Sequence, residues 1–202
     1  MISKSKLENL LAILERDTKV LVRAPPGSGK TSMAQLFGAY CIDLGHPVYS
    51  VTFAAFKEIQ KDSVNDFFRE YWNEDGLRTS LTAIMERAFK LPAGAKKPIL
   101  IVDEGQAWYV SKAKAESGFW AAMNTKSANL LFLCFSAFGD SSNTANVGTP
   151  LDFNSYLSFP LLGLCLDDTQ EVARRVFNSR THAPPRFQRT LKQLHRHTKG
   201  HP

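Results

Sequence analysis

The stretch "VLVRAPPGSGKTSMAQLF", residues 20–37, decides how this chain is read. An apolar, β-branched run leads into a short segment with two prolines and two glycines. A lysine and two hydroxyl residues follow, and then a helix-like pattern begins. Aligned to the phosphate-binding spacing G-x-x-x-x-G-K-S/T, Ala24 takes the first position, usually glycine, and Gly29, Lys30 and Thr31 take the last three. Pro25 and Pro26 stiffen the part of the loop that needs no backbone donors. The donors are the N–H groups of Gly27 through Thr31. Gly27 and Gly29 permit dihedrals that turn successive N–H groups inward, and the helix opening at Lys30 adds its positive end. Gly27, Ser28, Gly29, Lys30, Thr31 and Ser32 are therefore expected to bind a polyphosphate. Lys30 would reach its β and γ phosphates, the Thr31 hydroxyl would ligate Mg²⁺, and Ser32 would support the α-phosphate end. A plain Gly/Pro turn before a helix leaves Lys30 and the glycine spacing unexplained.

A second stretch, "PILIVDEGQ" at residues 98–106, completes the chemistry. "ILIV" is a continuous apolar run, the mark of a strand buried on both faces. Asp103 ends it, and a carboxylate there can hold the Mg²⁺ shell opposite Thr31. Glu104 follows at once. Adjacent residues at a strand end point to different sides, so one carboxylate serves the metal and the other polarises an attacking water. This pair resembles the Walker B motif of the additional-strand, catalytic-glutamate class of P-loop ATPases, which includes AAA+ and STAND proteins. Small-molecule kinases usually lack that glutamate. No Asn-Lys-x-Asp guanine reader is present, so ATP is favoured over GTP. By the same resemblance, Ser136 ends the next buried strand at the place of a polar catalytic sensor, with a simple strand-end cap as the competing reading. Arg174 and Arg175 stand where a lid arginine would reach the phosphates. Trp108 and Trp120 read as packing residues.

Periodicity places helices over 3–16, 30–44, 63–74, 77–90, 111–125, 167–179 and 186–198. Strands are expected over 19–24, 47–55, 98–104, 129–139 and 156–164, the last bent or at an edge because of Pro160. Gly45-His46-Pro47 is a helix stop. Alternating strands and helices imply an α/β fold: a three-layer P-loop NTPase with a mainly parallel five-stranded sheet, plus the start of a C-terminal helical lid. Residues 1–164 form the ATPase core on this reading, and 165–202 a basic, truncated lid segment.

The chain has 202 residues, 44% of them apolar and 22% charged, which is ordinary globular composition. No window approaches about 18 uninterrupted apolar residues, so no membrane span is expected. Glu8, Glu15 and Arg16 interrupt the N-terminal leucines, giving an amphipathic helix in place of a signal peptide. Cys41, Cys134 and Cys165 are widely spaced and read as buried reduced thiols in an intracellular protein. The net charge of +6 is concentrated: eight Lys or Arg and no Asp or Glu lie between Val172 and Pro202. That segment is either a nucleic-acid surface or a solvated helical face with one or two arginines serving the nucleotide. The solvated face is preferred, because only Phe187 interleaves the cations. His195 and His197, two apart, do not share a helix side.

The combination of "VRAPPGSGKTSMAQLF", "ILIVDEGQAWY", "FW" and "LLFLCFSAFGD" resembles the ATPase region of Crinkler effector proteins of oomycetes and fungi, from about residue 15 to 202. The resemblance implies an ATPase that often precedes a nuclease-like domain, in proteins delivered to host nuclei. Neither a delivery segment nor a nuclease domain is visible. The ending "TKGHP" reads as a motif cut short, so a fragment is expected.

Two functions follow. The leading one is Mg²⁺-dependent ATP hydrolysis that switches conformation or assembly, with Lys30, Glu104 and Ser136 as catalytic residues and Thr31 and Asp103 on the metal. A homo-oligomer belongs to this picture, since such ATPases often borrow an arginine from a neighbouring subunit. The alternative is a nucleotide-gated module that scarcely turns over and grips nucleic acid or a protein partner. A metabolite kinase is weaker still, for lack of a visible acceptor pocket.

Overall fold

The structure is a computed structural model, and it describes residues 4–54, 64–74, 79–106, 123, 129–137 and 155–158. Helix α1 (Lys4–Asp17) leads to strand β1 (Lys19–Ala24), and the glycine-rich loop leads to helix α2 (Lys30–Asp43). Strand β2 (Val48–Thr52), helix α3 (Val64–Glu74), helix α4 (Leu81–Phe89), strand β3 (Ile99–Asp103), strand β4 (Leu131–Ala137) and strand β5 (Ser155–Ser158) follow.

The strands lie in the order β2-β3-β4-β1-β5, and every pair is parallel. β4 therefore separates β1, which feeds the glycine-rich loop, from β3, which carries Asp103. β5 is a four-residue edge beside β1. Of the strand expected over 156–164, the described part is Ser155–Ser158, and residues 159–164 lie outside the described residues. In place of the expected five-stranded sheet there are four strands of five to seven residues and this short edge. The helix expected from 77 starts later, at Leu81. Ser80 is extended, with φ −136°, and its side chain accepts from the Ala83 N–H at 3.2 Å, a helix cap. The helices expected over 111–125, 167–179 and 186–198 fall on residues outside this description, apart from Met123. So do the lid segment 165–202, Trp108, Trp120, Arg174, Arg175 and the basic tail.

Side-chain alternation sorts the strands into two cores. Val20 and Val22 of β1, Ile99 and Ile101 of β3, and Leu131, Leu133 and Phe135 of β4 pack with Leu10 and Leu14 of α1 and Met33, Phe37 and Cys41 of α2. Leu21, Leu100, Val102, Phe132 and Cys134 point the other way. They meet Phe67, Phe68 and Trp72 of α3 and Ile84, Met85 and Ala88 of α4. Both cores follow from the period of two along a strand. All five residues of β3 are buried, as its apolar run requires. Burying one such Phe or Leu side chain contributes about 1.5–3 kcal/mol.

The turn after α2 is closed by its own backbone. Gly45 N–H donates to Ile42 O at 2.8 Å, and His46 N–H donates to Cys41 O at 3.0 Å. This bond pair is the Schellman arrangement, and it delivers the chain directly into β2. His46 is buried, and its Nδ1 donates to the Lys97 carbonyl at 2.9 Å, tying this turn to the approach to β3. Trp72, fully buried, donates its indole N–H to Ser50 O of β2 at 2.9 Å and so fixes α3 to the outer strand.

Candidate nucleotide site

The site forms where the carboxyl ends of β1, β4 and β3 lie side by side, the usual ligand edge of a parallel sheet. Ala24 of β1 pairs in register with Ala137 of β4, and Val102 of β3 pairs with Cys134. The loop out of β1 turns through Gly27 at φ 73° and Gly29 at φ 86°. Both angles are left-handed, which glycine adopts without steric cost. Gly29 stands at the N-cap of α2, and among the described residues no side chain caps the helix there. Its first-turn N–H groups are thus left for another acceptor, at the positive end of the helix.

Lys30 is buried, and its ammonium donates to Ala24 O at 3.0 Å and to Pro25 O at 2.9 Å. The side chain folds back over its own loop and concentrates positive charge there. Ser28 is also buried, and its Oγ has no hydrogen-bond partner among the described residues. A buried hydroxyl without a partner costs free energy unless a ligand meets it. Ser32 is exposed on the first turn of α2.

Asp103 shares a strand face with Ile99 and Ile101, which pack on α1 and α2. Alternation therefore turns Asp103 toward the start of α2. The Thr31 hydroxyl donates to Asp103 Oδ2 at 2.6 Å, although 72 positions separate the two residues. The other oxygen, Oδ1, accepts from the Glu104 N–H at 3.0 Å. Asp103 is only 8% exposed, so these bonds hold its carboxylate in one orientation. A hydroxyl and a carboxylate, both hard oxygen donors, suit Mg²⁺, which takes few protein ligands beside phosphate oxygens. Among the described residues no group of three or more His, Cys, Asp and Glu forms an all-protein metal cage.

Glu104 leaves the strand at once, with φ 56°. A non-glycine residue rarely takes that conformation, and such strain gathers at functional sites. Its turn is fastened to β4, because Gly105 N–H donates to Phe135 O at 2.9 Å. The Glu104 carboxylate accepts from the Gln106 side-chain amide, whose oxygen in turn accepts from the Ala137 N–H at 2.9 Å. Ser136, buried, lies in β4 opposite Arg23 of β1. Gln106 had no part in the sequence reading. Its second partner lies 31 positions away, and nothing in local spacing announces it.

No protein-family model and no curated protein sequence matches the chain. Among solved structures, the Walker-type ATPase PABY2304 of Pyrococcus abyssi is similar over 98% of this chain and 63% of its own, at 13% identity and a TM-score of 0.59. Two variants of Thermotoga maritima RuvB are similar over 86% of this chain and 50% of their own, with TM-scores of 0.43 and 0.42 and identities of 17% and 16%. The fold is that of the P-loop ATPases, and it is the Pyrococcus likeness that carries this. The chain spans less than two thirds of that protein's length. None of these comparisons supports the Crinkler resemblance. Among the described residues no helix is long and apolar enough to cross a membrane.

Proposed function

We propose that this chain is an Mg²⁺-dependent ATPase module of the additional-strand, catalytic-glutamate class. The observation that supports it best is the 2.6 Å bond between Thr31 and Asp103. It joins the phosphate-binding loop to the carboxylate strand across the intervening β4.

The backbone N–H groups of Gly27, Gly29, Lys30 and Thr31 cradle the phosphates, the Ser28 N–H being given to Pro25 O at 3.3 Å. Ser28 supplies a hydroxyl that has no partner among the described residues. Lys30 exchanges the carbonyls of Ala24 and Pro25 for phosphate oxygens and offsets charge that builds up during transfer. Thr31 and Asp103 hold Mg²⁺, which when bound neutralises charge on the phosphate oxygens. Ser32 steadies the α-phosphate end. Glu104 accepts a proton from the attacking water, and Ser136 contacts the γ-phosphate or that water.

ATP binding and turnover test the reading. Lys30→Ala should abolish ATP binding, and Glu104→Gln should bind ATP yet hydrolyse it about 10²-fold more slowly, within the range for loss of a general base. Purified protein that binds no ATP, or loses none of its turnover on Glu104→Gln, overturns it.

The segment from Val172 to Pro202, with eight cations and no carboxylate, favours a second reading as a nucleotide-gated module for nucleic acid. Salt-dependent DNA binding with negligible turnover would carry that reading. Self-association, a Crinkler-type parent protein and a nuclear destination rest on the sequence resemblances alone.

A further inference from the structure

We infer that Gln106 is a positioning residue for Glu104, an inference that rests on the ATPase reading above. The Ala137 N–H can only donate, so the Gln106 amide must turn its oxygen toward Ala137, at 2.9 Å. Its NH₂ group is thereby aimed at the Glu104 carboxylate, which it meets. The orientation of the amide is fixed by the backbone of β4 and not by solvent.

Glu104 needs such a hold. It sits one residue past β3, at φ 56°, where the strand no longer restrains it. Its side chain has three rotatable bonds, and a freely rotating carboxylate spends little time in line with one water. Displacement by about 1 Å can cost about 10²-fold in rate. Gln106 removes that freedom and ties the carboxylate to a fixed point. The fixed point is itself part of the site. Hydrogen bonds link Glu104, Gln106 and Ala137, and the register of β4 against β1 sets Ala137 beside Ala24, the carbonyl that Lys30 meets. The water-activating carboxylate and the phosphate-binding lysine are thus held by neighbouring strand ends.

Gln106→Glu is the sharpest probe. It keeps the length and the acceptor for Ala137, and it replaces the donor facing Glu104 with a second acceptor. Gln106→Leu keeps the bulk and removes both bonds, and it serves if the first variant folds poorly. Steady-state ATP turnover and ATP affinity would be measured for each, alone and combined with Glu104→Gln. Either variant should lower kcat by about tenfold or more, with ATP affinity held within about twofold. In the Glu104→Gln background the same change should alter the residual rate by less than about twofold, because the group being positioned is already gone. An equal loss in both backgrounds would assign Gln106 a merely structural role and overturn the inference. Unchanged or raised kcat in the single variants would overturn it too. Absence of turnover in the unaltered protein is a distinct result: it removes the ATPase reading, and this inference with it.

Discussion

Thr31 and Asp103 meet at 2.6 Å through a hydroxyl donated from the first turn of α2 to the last residue of β3. β1, which leads into α2, and β3 share no strand pair, since β4 lies between them and pairs with both. The contact exists because the alternation along β3 turns Asp103 toward α2. Asp103→Ala should therefore weaken Mg²⁺-dependent ATP binding by about 10- to 100-fold, the worth of one charged contact. ATP affinity measured in EDTA should fall much less. Titration with a fluorescent ATP analogue, with and without Mg²⁺, checks this, and equal losses in both conditions would remove Asp103 from the metal.

Lys30 leaves two carbonyls, of Ala24 and Pro25, when it is shortened. Lys30→Met retains the aliphatic bulk and loses the charge. ATP affinity should drop by about 10-fold or more, while the circular dichroism spectrum remains that of the parent protein. Retained affinity in isothermal titration would contradict the placement of the phosphates.

Gly29 separates strain from crowding. A Cβ built there meets nothing within 4 Å, but φ is +86°. Gly29→Ala should then destabilise the fold by about 1–2 kcal/mol through backbone strain alone. Urea unfolding measures it. A neutral result would mean that the loop adopts another path in solution.

Trp72 is fully buried and bonded to Ser50 O. Trp72→Ala should cost about 3–5 kcal/mol through cavity formation. Trp72→Phe, which loses the bond and less volume, should cost clearly less. Thermal unfolding of both variants tests the order, and a reversed order would argue against α3 anchoring β2.

Burial first, and then the charge of Glu15, push the Cys41 thiol up to about 12 from a reference of 9.0. A raised thiol pKa in the folded state favours the folded state while the thiol is protonated. The contribution is complete below about pH 9 and is lost as pH rises toward about 12. Cys41 should resist alkylation at pH 8 in the folded protein and react on unfolding. Mass spectrometry after iodoacetamide treatment, with and without urea, follows the residue, and fast labelling of the folded form would refute its burial.

Much of this was legible in the residues. The run "ILIV" reads as a strand buried on both faces because it contains no polar residue, and β3 is buried throughout. Gly45-His46-Pro47 reads as a stop, and α2 ends at Asp43 with its turn closed on itself. The glycine spacing foretells left-handed angles at positions 27 and 29. What escaped depends on partners distant in sequence. The pairing of the edge strand begins at Ser155, one residue before the apolar run that announces it, because apolar content alone does not tell where pairing with β1 starts. Helix α4 begins at Leu81 because Ser80 caps it, a local signal that the apolar periodicity overrode. Gln106 could not be found, because its task depends on where β4 ends.

The division of labour proposed for the two carboxylates depends on counting. Asp103 falls on an odd step of β3 with Ile99 and Ile101, and Val102 falls on an even one. Inserting or deleting a single residue within that strand would exchange the parity. An aliphatic group would then be presented to Thr31, and the acid would be driven into the aromatic layer beneath the sheet. Point changes along β3 alter fit by degrees, whereas a one-residue change in its length would erase the site at a stroke.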